Sequence, residues 1–265
     1  MAVAINGADA GAAPEQERVI AGTTADPAAW PFIGALYLKP RGSHGRAVLD
    51  CGATVIAPRA AVTAAHCAGY PAKSYSLIVG RPNLADRSVG QEIPIRSIDV
   101  NPAYGRTPRA DLAVLTLARD AGVTTAGIPS VAQSNAATVI GAPLRVAGWG
   151  ATRSNGSQTS KLLLTTMETV LDGAPCKREY GKQFSNVTTI CSQGAKLAAP
   201  RQGHAGSCYG DSGGPLIADT VAGPLLVGAV SGGGLRCGTT ADYYTRISAN
   251  LPFIARTSGI IPAAP

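Results

Sequence analysis

Gly206-Ser207-Cys208-Tyr209-Gly210-Asp211-Ser212-Gly213-Gly214-Pro215 sets one serine among glycines, with an acid directly before it and a cysteine a few residues upstream. Glycines permit positive φ and let a ligand approach the main chain closely. Such a loop can aim two N–H groups at one point, which is what stabilising an oxyanion requires. A serine hydroxyl alone is a weak nucleophile and needs a base from elsewhere in the chain. Without that base the same letters describe an ordinary glycine-rich turn.

Candidate partners are present. Thr63-Ala64-Ala65-His66-Cys67 places one of three histidines after a run of small residues and beside a cysteine. Asp111-Leu112-Ala113-Val114-Leu115-Thr116-Leu117 places an acid at the head of an apolar run that reads as a buried strand. An acid there can hold an imidazole in the tautomer whose other nitrogen takes the serine proton. The chain order is His, Asp, Ser, the order of chymotrypsin-type enzymes. With these motifs the sequence resembles the trypsin/chymotrypsin family of secreted serine peptidases. Arg18-Val19-Ile20-Ala21-Gly22 looks like that family's activation junction and Trp30-Pro31-Phe32 like its first barrel strand. Ala147-Gly148-Trp149-Gly150 and Tyr244-Thr245-Arg246-Ile247 fall where the family has matching pieces. Any one of these is weak, but together, in order, they are specific.

Composition agrees with many short strands. Of 265 residues, 45% are hydrophobic, and 32 glycines and 19 prolines suit tight turns. Helix periodicity is scarce. Strands are expected at 32–38, 48–56, 76–79, 92–100 and 111–117, then at 143–149, 161–171, 188–192, 215–217, 224–231 and 243–247. Residues 120–140, low in aromatics, read as a linker, and Ser248 onward as a short closing helix. The resemblance implies an all-β fold: two antiparallel six-stranded β-barrels with a short C-terminal helix. The expected bounds are about 30–120 and about 128–247 for the barrels and about 248–257 for the helix. The +7 charge is dispersed in sequence, which argues against nucleic acid, and no stretch suits a bilayer span.

Six cysteines without a CxxC pair favour bridges over metal ligation, with fifteen pairings open to the sequence alone. The resemblance selects Cys51–Cys67, Cys176–Cys191 and Cys208–Cys237. Such bridges imply an oxidising compartment, hence secretion after removal of a signal peptide that residues 1–18 do not contain. Residues 1–18 read as a pro-segment and residues 19–265 as the peptidase domain. By the resemblance, cleavage at Arg18/Val19 frees an amine that pairs with Asp211.

The resemblance also implies roles for the site residues. Ser212 is the nucleophile, His66 the base, and Asp111 the acid that orients it. The N–H groups of Gly210 and Ser212 form the oxyanion hole, and Ser231 supports Asp111. Gly206, Ser207, Tyr209, Ser231, Gly232, Gly233 and Asp242 bind substrate. Gly206 stands where trypsin carries its pocket aspartate. Asp242 then has two readings: it restores that charge from the opposite wall, giving a broad or basic-leaning P1 preference, or it is a surface turn residue. Gly232 replaces a tryptophan, removing an apolar wall. Arg81 stands where a calcium ligand is expected, so no metal is expected there, and no cofactor. His44 reads as a solvated loop histidine. Partners are protein or peptide substrates and protein inhibitors, with no nucleic acid or membrane, and the chain is expected to be a monomer. The alternatives are a silent homologue acting as a binding or adhesion module, and an esterase using the same three residues.

Overall fold

In β7 (Ala113–Leu117) the side chains of Leu115 and Leu117 point into one core while Val114 points into another. A strand buried largely on both faces has little polar side, which is why Thr116 is the one polar residue in its run. The computed structural model describes residues 22–40, 46–106, 110–198 and 203–260. Arg18, Val19 and His44 lie outside these.

After a two-residue strand β1 (Thr23–Thr24), five strands precede β7. They are β2 (Ile33–Leu38), β3 (Val48–Ala57), β4 (Ala60–Thr63), β5 (Tyr75–Val79) and β6 (Gln91–Val100). They close in the order β2-β3-β4-β7-β6-β5, every pairing antiparallel, around Leu36, Val55, Leu77, Ile93 and Leu115. A short helix α1 (Val131–Ala137) follows. It is opened by a capping box in which Ser130 and Gln133 satisfy each other's backbone N–H.

The second barrel contains β8 (Pro143–Gly148), β9 (Leu164–Val170), then helix α2 (Ala174–Tyr180). It continues with β10 (Thr189–Gly194), β11 (Pro215–Thr220), β12 (Gly223–Gly232) and β13 (Asp242–Arg246). It closes because β8 pairs with both β9 and β11, around Leu144, Val146, Ile190, Leu216 and Tyr244. Helix α3 (Leu251–Ser258) is the last element among the described residues. A third core, with Trp30, Phe32, Val62, Val114, Trp149, Ile217, Phe253 and Ile254, draws on both barrels and α3 and fixes one barrel against the other. No helix among the described residues is long and apolar enough to cross a membrane.

The two six-stranded barrels and the closing helix agree with expectation. Four local features do not. The run of small residues at 60–63 forms β4, α1 interrupts the expected linker, and α2 occupies part of a segment left without structure. In addition, β1 joins the second barrel through β9 although it lies at the other end of the sequence.

Candidate active site

The strand register brings His66 and Asp111 together. Thr63, the end of β4, pairs with Ala113, the start of β7, so the residues just beyond these ends emerge at the same rim. His66 sits there on a single 3-10 turn, Ala65–Cys67, tied to β3 by the Cys51–Cys67 bridge. Its Nδ1 lies 2.8 Å from Asp111 Oδ2, and its backbone N–H donates to Asp111 Oδ1 at 2.9 Å. Ser231 Oγ, near the end of β12, donates to Asp111 Oδ2 at 2.6 Å. The Thr245 hydroxyl donates to the Asp111 carbonyl at 2.9 Å. Asp111 belongs to the first barrel, while two of these donors come from the second.

Close backbone approach carries the serine loop to the same rim. Gly52 N–H donates to the Ser212 carbonyl at 2.7 Å, and a Cβ on Gly52 would lie 2.8 Å from Gly214 Cα. Gly213 has φ +76° and packs against Thr63, so a side chain there would be both strained and obstructed. Ser212, His66 and Gly210 line one cleft of about 410 Å³ between the barrels. No hydrogen bond joins Ser212 Oγ to His66; such contacts are often long in unliganded sites and tighten with substrate. The N–H groups of Gly210 and Ser212 have no acceptor among the described residues.

Asp211 turns the opposite way, into the protein, 1% exposed. Its Oδ1 accepts from Gly150 N–H at 2.8 Å and its Oδ2 from Cys208 N–H at 3.0 Å. Side chains at Gly148 or Gly150 would collide with this carboxyl, which explains the two glycines around Trp149. No cation pairs with it among the described residues. Burial pushes it up to about 6. For His66, burial lowers proton affinity, but the hydrogen bond and charge of Asp111 and the charge of Asp50 more than offset this, and the net shift is upward.

Asp242 lies at the cleft. It is 4% exposed, lines the cleft, and accepts on Oδ2 from Ser207 N–H at 3.1 Å and the Ser207 hydroxyl at 3.0 Å. The surface-turn reading fails. A Cβ on Gly206 would come within 2.8 Å of that oxygen, so the glycine makes room for the acid. Gly206 itself stands behind the wall, whereas Ser207, Tyr209, Ser231, Gly232 and Gly233 form it. Tyr209 reaches across the mouth, its hydroxyl donating to Leu235 O at 3.1 Å. The last partner of β12 on the β11 side is Ala229, so Ser231 to Gly233 leave an open edge towards the cleft. The space beside Gly232 is not empty: a Cβ there would meet the Tyr243 phenol at 2.7 Å.

Cys51, His66 and Cys67 bring ligand atoms within 4.8 Å of one another, but the two sulfurs are bonded to each other and neither is a thiolate. All three expected bridges form. Arg81 spans its loop, donating to Val89 O at 2.9 Å. Two acids near the cleft escaped the sequence reading. Asp50 lines it beside His66, and Glu168 lies buried near Gly206. A signal for Glu168 was available: it shares the period-two face of Leu164 and Val170, both buried.

The model of the trypsin family matches residues 19–254. The chain belongs to the trypsin family. It is 33% identical to Duodenase-1 of Bos taurus over 247 residues, 92% of this chain and 90% of that protein. It is 30% identical to Serine protease Hayan of Drosophila melanogaster over 256 residues, 92% of this chain but only 39% of that longer protein. A solved structure described as "Structure of GrC" superposes with a TM-score of 0.73 at 24% identity, covering 91% of this chain and 99% of that one, and shows the shared fold.

Proposed function

We propose that this trypsin-family chain is a secreted serine endopeptidase that cuts proteins and peptides through an acyl-enzyme on Ser212. Ser212 Oγ bonds to the scissile carbonyl carbon while His66 Nε2 takes its proton. The N–H groups of Gly210 and Ser212 receive the oxyanion. As the C–N bond breaks, His66 passes the proton to the leaving amine, and water then repeats the sequence to free the acid product. Asp111, held by Ser231, fixes the imidazole and offsets its charge. The observation that carries this reading is the hydrogen-bonded row Ser231–Asp111–His66 opening on a cleft that also holds Ser212 and two N–H groups without an acceptor among the described residues.

Two finer features belong to the same reading. The first is storage as a zymogen, with residues 1–18 as pro-segment and 19–265 as peptidase domain. The family match begins at residue 19, directly after Arg18, and Asp211 is a buried acid, with no cation partner among the described residues, whose charge a new Val19 amine could offset. The second is a broad or basic-leaning P1 preference set by Asp242, whose acid lies in the cleft where Gly206 offers none. Three bridges, each worth about 3 kcal/mol for loops of this length, fit a protein working outside the cell.

The test is hydrolysis of peptide amides and simple esters by the chain before and after cleavage at Arg18, beside Ser212→Ala. Amide cleavage that appears on processing and vanishes in the variant is expected. Ester turnover alone would support an esterase, and no turnover of either class a binding module.

A further inference from the structure

A second acid lies behind the pocket wall, near Gly206. Glu168, on β9, is 1% exposed. Its Oε2 accepts the Ser192 hydroxyl at 2.6 Å and its Oε1 the Tyr244 phenol at 2.7 Å. A Cβ on Gly206 would stand 3.4 Å from Glu168 Oε1 and 2.8 Å from Asp242 Oδ2, so the two carboxyls close on one point that the glycine leaves free. Neither acid belongs to an ion pair among the described residues. The titratable groups facing Asp242 are Glu168 on β9, Asp211 in the serine loop, Tyr180 on α2 and Tyr244 on β13. None of these is a base.

Two buried carboxylates without a cation repel each other, and one of them keeps a proton. The hydrogen bonds say which. Burial pushes Glu168 up as well, but both of its oxygens accept from hydroxyls, which opposes that rise by favouring its charged form. Asp242 has only Oδ2 engaged; Oδ1 lies against Gly233, on the cleft wall, with no partner among the described residues. Burial, and then the charge of Glu168, push Asp242 well above the usual carboxylate range.

We infer that Glu168 and Asp242 form a proton-exchanging pair at the specificity pocket. A lysine or arginine side chain entering the pocket displaces the proton on Asp242 Oδ1 to solvent and takes its place beside two negative charges. This rests on the peptidase reading of the cleft. Asp242 touches the substrate, whereas Glu168 is a positioning residue that acts through Asp242, setting how strongly the pocket prefers a cation to a proton. With the proton in place, an uncharged P1 side chain meets no unpaired buried charge, a situation that would otherwise be costly. One pocket therefore admits neutral P1 residues at lower pH and selects basic ones as pH rises.

The test compares kcat/KM for an arginine-P1 and a leucine-P1 peptide amide across pH, since the titration of His66 cancels in their ratio. The ratio is expected to climb with pH, with its midpoint above the ordinary carboxylate range. Glu168→Gln retains the shape and can keep both hydroxyl contacts; it should move the midpoint down by about one pH unit or more. A Glu168 that only supports the fold would lower both substrates alike and leave the midpoint in place, which overturns the inference while leaving the peptidase reading intact. An arginine preference that survives Asp242→Asn would instead overturn the pocket reading beneath it. Calorimetry of benzamidine binding to the protein cleaved at Arg18, in buffers of different ionisation enthalpy, needs no variant. Proton release on binding is expected, and heats independent of buffer would contradict it.

Discussion

Asp111 and Asp242 are equally buried, 4% exposed each, and stand at two ends of one cleft in different company. Asp111 accepts from the His66 N–H, the His66 ring and the Ser231 hydroxyl, so both of its oxygens are engaged. Asp242 has one oxygen engaged, one open, and another acid as neighbour. Burial alone therefore does not assign a carboxyl its task. The partners differ: Asp111 has both oxygens engaged, two of its three donors on His66 itself, whereas Asp242 keeps one oxygen open, which on the proposed reading lets it exchange its proton for a cation.

This contrast can be broken from the Asp111 end. Asp111→Asn leaves an amide where His66 needs a pure acceptor. The expected loss in kcat is about 10⁴, the size of effect the same change has in chymotrypsin-type enzymes. A loss of less than tenfold would mean that Asp111 does not orient His66. Ser231→Ala is milder, because it removes one hydrogen bond to a charged group, about 1.5–3 kcal/mol. Steady-state assays should show a fall in kcat of about tenfold or more, with the arginine-to-leucine ratio nearly unchanged. A change confined to that ratio would place Ser231 with the specificity pocket instead.

The smallest effect concerns Asp50. Its charge raises the proton affinity of His66, and catalysis requires the neutral imidazole. Asp50→Asn lowers that affinity, so the acid limb of the pH–rate profile should shift to lower pH, by less than about one unit. A shift to higher pH would contradict the sign.

Most of this architecture is legible in the letters. Most of the strands announce themselves by apolar runs or by alternation, and the glycines around Ser212 and Trp149 mark where backbone or carboxyl must pass closely. What escaped did so for physical reasons. β4 is four small residues, whose pairing with β7 depends on tertiary closure and not on local propensity. α1 carries a readable Ser130/Gln133 capping box, but it lies in a stretch whose Thr-, Ala- and Gly-rich composition reads as a linker. The place of Asp242 depended on a short loop that local pattern does not fix. Glu168 is an acid, a residue type that is mostly exposed, and only its parity with Leu164 and Val170 marks it as inward-facing. Tyr243 was invisible as the filler beside Gly232, since the two meet across a strand pair.

Treating the processed protein with a fluorophosphonate probe and locating the adduct by peptide mass spectrometry tests the central claim most directly. The account predicts a single adduct on Ser212, formed faster as His66 loses its proton and absent in His66→Ala. No adduct, or one on another residue, would contradict it.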